Sequence, residues 1–194
     1  MRSKTRRAAR TAAGVRRGNA VVRPFVVRAI SARATRGVLD LGGGRQLPCA
    51  MGRSGRRALK REGDGATPLG RHRVRFVLWR ADRSLPPPTA LPCRPIRPDD
   101  GWCDAVGDRN YNRRVRHPYP ASAEHLWRED HLDDIVVVLD ANERPRKQGA
   151  GSAIFLHLAR PGYQPTAGCV ALTRRDLVRV LGLMRRRHSI LVRD

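Results

Sequence analysis

His157 closes a short apolar run, Ser152-Ala153-Ile154-Phe155-Leu156-His157-Leu158, and Cys169 follows twelve residues later in the turn Thr166-Ala167-Gly168-Cys169. A thiol beside an imidazole is the minimum equipment for acyl transfer through a thioester. The imidazole takes the thiol proton and later returns one to the leaving amine. Gly168 lets the backbone turn tightly before the cysteine, so that the amides of Gly168 and Cys169 could face a developing oxyanion. No acid stands at a fixed spacing to orient the imidazole, so a backbone carbonyl or a loop side chain is expected to do it. Nothing else in the chain combines a nucleophile, a base and oxyanion donors. The plainer reading stays open here, because a cysteine among apolar residues often serves as a small hydrophobe and a strand histidine often lies in a core.

The elements that must position this pair read mostly as strands. Val21–Ile30, Arg36–Leu41 and Arg45–Ala50 are rich in apolar residues, and Gly42-Gly43-Gly44 reads as a hairpin turn between the last two. No Gly-Lys-Ser/Thr follows that triplet, so it does not read as a phosphate loop. Residues 52–70 read as loop, Arg73–Trp79 as a strand, and the proline-rich stretch 84–100 as extended and irregular. Ser122–Arg128 is expected to be a short helix capped by Ser122, and Ile135–Leu139 a buried strand. The segment from His157 to Cys169 is expected to form a hairpin that brings the two side chains face to face. Leu177, Val180, Leu181 and Met184 recur at helical spacing behind the cap Thr173, with Arg185-Arg186-Arg187 placed in the last turn, where the helix dipole favours cations. Ser189–Val192 reads as a closing strand.

Other clusters carry weaker chemistry. Glu62 and Asp64 resemble a carboxylate pair but sit in a glycine-rich loop, where acids bond their own backbone. Tyr111 and Asn112 are candidates to line a substrate groove, with core packing the alternative for Tyr111, and Trp102 reads as a packing anchor. His117, His125 and His131 match no metal-ligand spacing, so no metal and no cofactor is expected. Cys49, Cys93, Cys103 and Cys169 form no CxxC pair; Cys49 reads as a buried free thiol, and a Cys93–Cys103 bridge is left open.

The chain has 194 residues and a net charge of +23, which favours anionic partners. All but three of its forty basic residues are arginine, diffusely spread, and no nucleic-acid-binding module is recognisable, so no specific nucleic acid is expected. Residues 1–20 read as a disordered basic extension and 21–194 as one catalytic domain. No apolar run is long enough for a membrane-spanning helix, and no signal peptide is recognisable.

The stretch Gly151–His157 with Pro165-Thr166-Ala167-Gly168-Cys169-Val170-Ala171-Leu172 resembles the signature of the L,D-transpeptidase (YkuD-like) catalytic domain. Lys60–Gly70, with Gly63-Asp64-Gly65 leading into Thr67-Pro68-Leu69-Gly70, is similar to that family's loop before a strand. Gly101-Trp102-Cys103, Tyr111-Asn112 and Ser122-Ala123-Glu124 match one branch of it, so the resemblance spans roughly residues 35–192. It implies a mostly β fold, an L,D-transpeptidase-like β-sandwich of mixed sheets with one or two helices, one of them C-terminal. It also implies Cys169 as nucleophile, His157 as base and Gly168 in the oxyanion turn, with Tyr111, Asn112 and Thr166 toward the substrate. The implied activity cleaves a peptidoglycan stem peptide through a thioester and passes the acyl group to an amine, in the periplasm or cell envelope. Water as acceptor would make the enzyme a carboxypeptidase or cross-link hydrolase. A non-catalytic cell-wall or polyanion-binding protein on the same fold is the further alternative. The chain departs from the pattern at Ala167, where many members carry His, at Ala171, where they carry Arg or Asn, and at Asp133, where an aromatic is expected.

Overall fold

The computed structural model describes residues 22–31 and 33–194; the basic segment 1–20 lies outside them. The first strands are β1 (Phe25–Ala29), β2 (Arg36–Asp40) and β3 (Gln46–Ala50), followed by the two-residue strands β4 (Arg56–Arg57) and β5 (Thr67–Pro68). The middle of the chain supplies β6 (Gly70–Trp79), β7 (Cys93–Pro95), β8 (Asp100–Cys103), β9 (Arg113–Arg116) and β10 (Ala123–His125). Then come β11 (Ile135–Leu139), β12 (Phe155–Leu158), β13 (Val170–Leu172), the helix α1 (Arg174–Leu183) and β14 (Ser189–Val192). The protein is mostly β, with one α-helix among the described residues.

Nine strands form a mixed sheet in the order β11-β12-β13-β3-β2-β1-β14-β6-β7. The long strand β6 joins both halves of it: residues 70–73 pair with β14, and residues 74–79 pair with β11. The sheet therefore curls over one large apolar core. Alternation along each strand decides what enters that core. On β12, Leu156 and Leu158 point into it beside Val137, Val170 and Leu172. Leu177, Val180 and Leu181 of α1 pack into the same core, which accounts for the helical spacing in the sequence. Each fully buried leucine there contributes roughly 1.5–3 kcal/mol relative to exposure.

The opposite face of β6, β11 and β12 is covered differently. Leu78, Val136, Val138 and Phe155 meet Trp102 and Leu126, which belong to a small sheet of order β10-β8-β9 and the segment after it. The indole of Trp102 stands edge-on to Phe155, with centroids 5.0 Å apart. This second, smaller cluster forms the back of the groove described below.

Four local expectations are corrected. The segment from His157 to Cys169 is not a hairpin: β12 and β13 run parallel, with Leu156 opposite Val170 and His157 opposite Ala171. Its connection carries a short 3-10 turn at Pro161–Tyr163 and is long enough to cross over, and β13 meets antiparallel β3 on its other side. Residues 123–125 are strand β10, because pairing of Ala123, Glu124 and His125 with Cys103, Trp102 and Gly101 outweighs the helical preference of Ala123 and Glu124. The helix ends at Leu183, so Arg185–Arg187 lie beyond it; the Arg185 guanidinium still reaches back to the carbonyls of Gly182 (3.0 Å) and Met184 (2.9 Å). The stretches 52–70 and 84–100, read as irregular, contain β4, β5 and β7.

Candidate active site

Parallel pairing places Phe155 and His157 of β12 on the same face as Cys169 and Ala171, since the side-chain period is two. That face is the one turned away from the large core. All four side chains line a groove of about 500 Å³. Cys169 directly precedes β13, so it stands diagonally across from His157 of β12, an arrangement a hairpin was expected to give and a crossover supplies instead.

The thiol is held by backbone from the chain just before β12. Cys169 Sγ donates to the carbonyl of Ala153 at 3.1 Å and accepts the Phe155 N–H at 3.3 Å. Ala153 has φ +50°, in the left-handed region that a non-glycine residue rarely adopts. Its own N–H donates to Asn112 Oδ1 at 3.2 Å. Burial and the nearby Glu124 carboxylate push the thiol pKa up, so at neutral pH the sulfur carries its proton.

The imidazole is fixed from the other side. Nδ1 of His157 lies 2.9 Å from the carbonyl oxygen of Leu158, which can only accept, so Nδ1 carries the hydrogen. Nε2 is left as the ring's lone-pair nitrogen. Burial lowers the His157 pKa to about 4, with the guanidinium groups of Arg128 and Arg160 adding to the effect. Thiol and imidazole are both neutral at rest, and the orienting group is a backbone carbonyl.

The turn before the cysteine is built by Thr166. Its Oγ1 donates to the carbonyl of Cys169 at 2.7 Å and accepts the Gly168 N–H at 3.1 Å. The Gly168 amide is therefore spent inside the turn, where it was expected to face an oxyanion. Gly168 has φ +144°, and a Cβ there would come 3.0 Å from the carbonyl of Ala66, so this position admits only glycine without displacement. The neighbouring glycine-rich loop clamps the turn: Arg53 N–H donates to Thr166 O, and Thr166 N–H to Met51 O, each at 2.9 Å. Thr166 does line the groove.

Tyr111 and Asn112 stand behind the groove. Tyr111 is fully buried and its hydroxyl donates to Glu62 Oε2 at 2.6 Å. Asn112, also buried with φ +54°, accepts from Trp102 Nε1 at 2.9 Å and donates to the carbonyls of Ala141 and Asn142. Both are tied to the protein itself, and their contribution to a substrate would pass through the wall they hold. Asp64 serves its loop, accepting from the N–H groups of Arg61 and Ala66 at 2.9 Å each and pairing with Lys60. His117 stacks on His125, while His131 sits against Asp134. Among the described residues no three His, Cys, Asp or Glu side chains converge as metal ligands, and all four cysteines are free.

Besides Asp104, two carboxylates that the sequence did not single out as site residues line the groove, Glu124 on β10 and Asp133 in the turn before β11. Burial raises the pKa of both, and for Asp133 burial plus the Glu124 charge takes it to about 8. Asp133 Oδ2 has no hydrogen-bond partner; Arg128 Nε is 4.0 Å away. The position was visible in sequence as an acid where an aromatic was expected, but its convergence with Glu124 depends on how β10 docks.

The L,D-transpeptidase catalytic domain (YkuD) family model matches residues 27–192. The chain belongs to that family. No curated protein and no solved structure matches it. Membership in the L,D-transpeptidase family associates the domain with peptidoglycan and the cell wall. No described helix is long and apolar enough to cross a membrane.

Proposed function

We propose that this L,D-transpeptidase-family domain is a cysteine acyltransferase acting on peptidoglycan stem peptides in the cell envelope, with Cys169 as nucleophile and His157 as base. The observation that carries the reading is the face shared by His157 of β12 and Cys169, the residue leading into the parallel strand β13, with the His157 Nδ1 committed to Leu158 O and Nε2 left as the acceptor. Sγ attacks the carbonyl before the terminal D-amino acid while Nε2 takes the thiol proton. The tetrahedral intermediate collapses to a thioester as His157 returns that proton to the departing amine. An acceptor amine then attacks the thioester, His157 takes its proton, and Sγ leaves to recover it. The Cys169 N–H is the oxyanion donor in this scheme, since the Gly168 amide is engaged by Thr166.

A neutral resting pair suits general-base catalysis, in which the thiolate forms only as the bond is made. The groove is lined by Arg53, Lys60, Arg128 and Arg160 together with Glu62, Asp104 and Glu124, while burial keeps a proton on Asp133 at neutral pH, a lining that suits a peptide bearing both a carboxylate and an amine. Incubation with a tetrapeptide stem and an amine acceptor tests the reading. Release of the terminal D-amino acid with formation of the new amide is expected, and a folded Cys169→Ala variant should produce neither. Turnover retained by that variant would remove Cys169 from the chemistry.

A further inference from the structure

A second cavity, of about 700 Å³, opens on the far side of the Trp102–Asn112 wall. Six arginines line it, Arg75, Arg94, Arg113, Arg114, Arg144 and Arg146, against a single acid, Glu143. Arg75 pairs with Glu143 at 2.9 Å and Arg114 with Asp100 at 2.9 Å. The other four have no acid within ion-pair distance among the described residues.

Like charges gathered in a concavity repel one another, and a folded chain tolerates that cost where a counter-charge can enter. The crowding has a second mark. The Nε–H groups of Arg114 and Arg146 are buried without any hydrogen-bond acceptor. Buried donors are nearly always satisfied, so two orphaned Nε–H groups in one wall add a desolvation cost to the charge repulsion there, while the exposed guanidinium groups of Arg94 and Arg113 are the ones open to a ligand. Phe76, with the Arg94 guanidinium 5.4 Å above its ring, gives the cavity an apolar floor beside the charges.

We propose that this cavity is a binding site for a phosphate-bearing ligand of the pyrophosphate type, separate from the Cys169 groove. Arginine forks match the paired oxygens of phosphate groups, and four uncompensated guanidinium groups match the charge of a pyrophosphate rather than that of a single carboxylate. The volume leaves room for a small apolar or planar substituent against Phe76.

The net charge of +23 makes diffuse attraction of any polyanion the competing explanation, so the test must hold total charge constant. Inorganic pyrophosphate is titrated by calorimetry, at about 0.15 M salt, into the full chain and two double variants. Arg94→Gln/Arg113→Gln removes two exposed cavity arginines, and Arg175→Gln/Arg186→Gln removes two exposed arginines elsewhere. One-to-one binding, weakened at least tenfold by the cavity pair and less than twofold by the control pair, is the expected result. Equal weakening by both pairs, or no binding by the folded full chain, overturns the proposal. Cosedimentation with phosphatidylcholine vesicles carrying a polyprenyl pyrophosphate that only the cavity pair abolishes would assign the pyrophosphate to a lipid headgroup. Pyrophosphate binding without cosedimentation would assign it to a soluble ligand.

Discussion

Asn112 and Cys169 are linked through one residue: Asn112 Oδ1 accepts the N–H of Ala153 at 3.2 Å, and the Ala153 carbonyl accepts the thiol of Cys169 at 3.1 Å. Asn112 also holds Trp102 Nε1 and two carbonyls, so its side chain fixes the strained turn that cradles the sulfur. Residues of this kind are invisible as catalytic groups and still decide where the nucleophile sits.

Removing the Asn112 amide should therefore weaken both fold and chemistry. Asn112→Ala strands the Trp102 and Ala153 donors and places alanine at φ +54°. A loss of about 2–4 kcal/mol in denaturant unfolding is expected. Under conditions where the variant is still folded, its kcat should fall by more than tenfold. Full activity in a folded Asn112→Ala variant would show that Ala153 keeps its position without it.

The acid limb of the pH profile should lie unusually low. His157 acts as a base only when unprotonated, and its pKa is lowered to about 4. The value of kcat/KM should stay level from pH 7 to about 5 and then fall roughly tenfold per pH unit below the pKa. A midpoint near 6.5 would indicate an imidazole open to water.

Asp133 should make the protein less stable as pH rises. Its folded pKa of about 8 lies above the ordinary value of 3.8, so the folded state retains a proton that the unfolded state has lost between those limits. The contribution is fully present below pH ~4, is lost as pH climbs through about 8, and amounts to a few kcal/mol. Asp133→Asn should leave the unfolding midpoint unchanged at pH 4 and raise it at pH 9. Equal shifts at both values would mean that the carboxyl does not titrate in this window.

Gly168→Ala should disturb the turn directly. Strain at φ +144° and the approach to the Ala66 carbonyl are expected to cost about 1–3 kcal/mol and to displace Thr166 and Cys169. Thermal unfolding combined with a thiol alkylation rate would register both effects.

Much of this was legible in the residues. Alternation in Phe155-Leu156-His157-Leu158 and the 3.6-residue spacing of Leu177, Val180 and Leu181 report local periodicity, which the fold preserves. The nearness of His157 and Cys169 was readable too, but the parallel sense of their strands was not, because it depends on β3 occupying the far edge of β13. Residues 123–125 carried no strand pattern of their own and take that form from β8. Glu124, Asp133 and Asn112 reach the site from segments far apart in the chain, and no spacing rule joins them. Gly168 precedes the cysteine with a positive φ, and the engagement of its amide by Thr166 requires a side-chain rotamer that sequence does not specify.

The central claim is that Cys169 is an acyl-accepting nucleophile, and intact-mass spectrometry after incubation with a carbapenem tests it most directly. Attack by Sγ opens the strained lactam, the ring nitrogen takes up a proton, and no fragment departs, so the chain should gain the mass of one whole carbapenem. Cys169→Ala, folded to the same unfolding midpoint, should gain nothing. An unchanged wild-type mass, or an equal adduct on Cys169→Ala, would contradict the account.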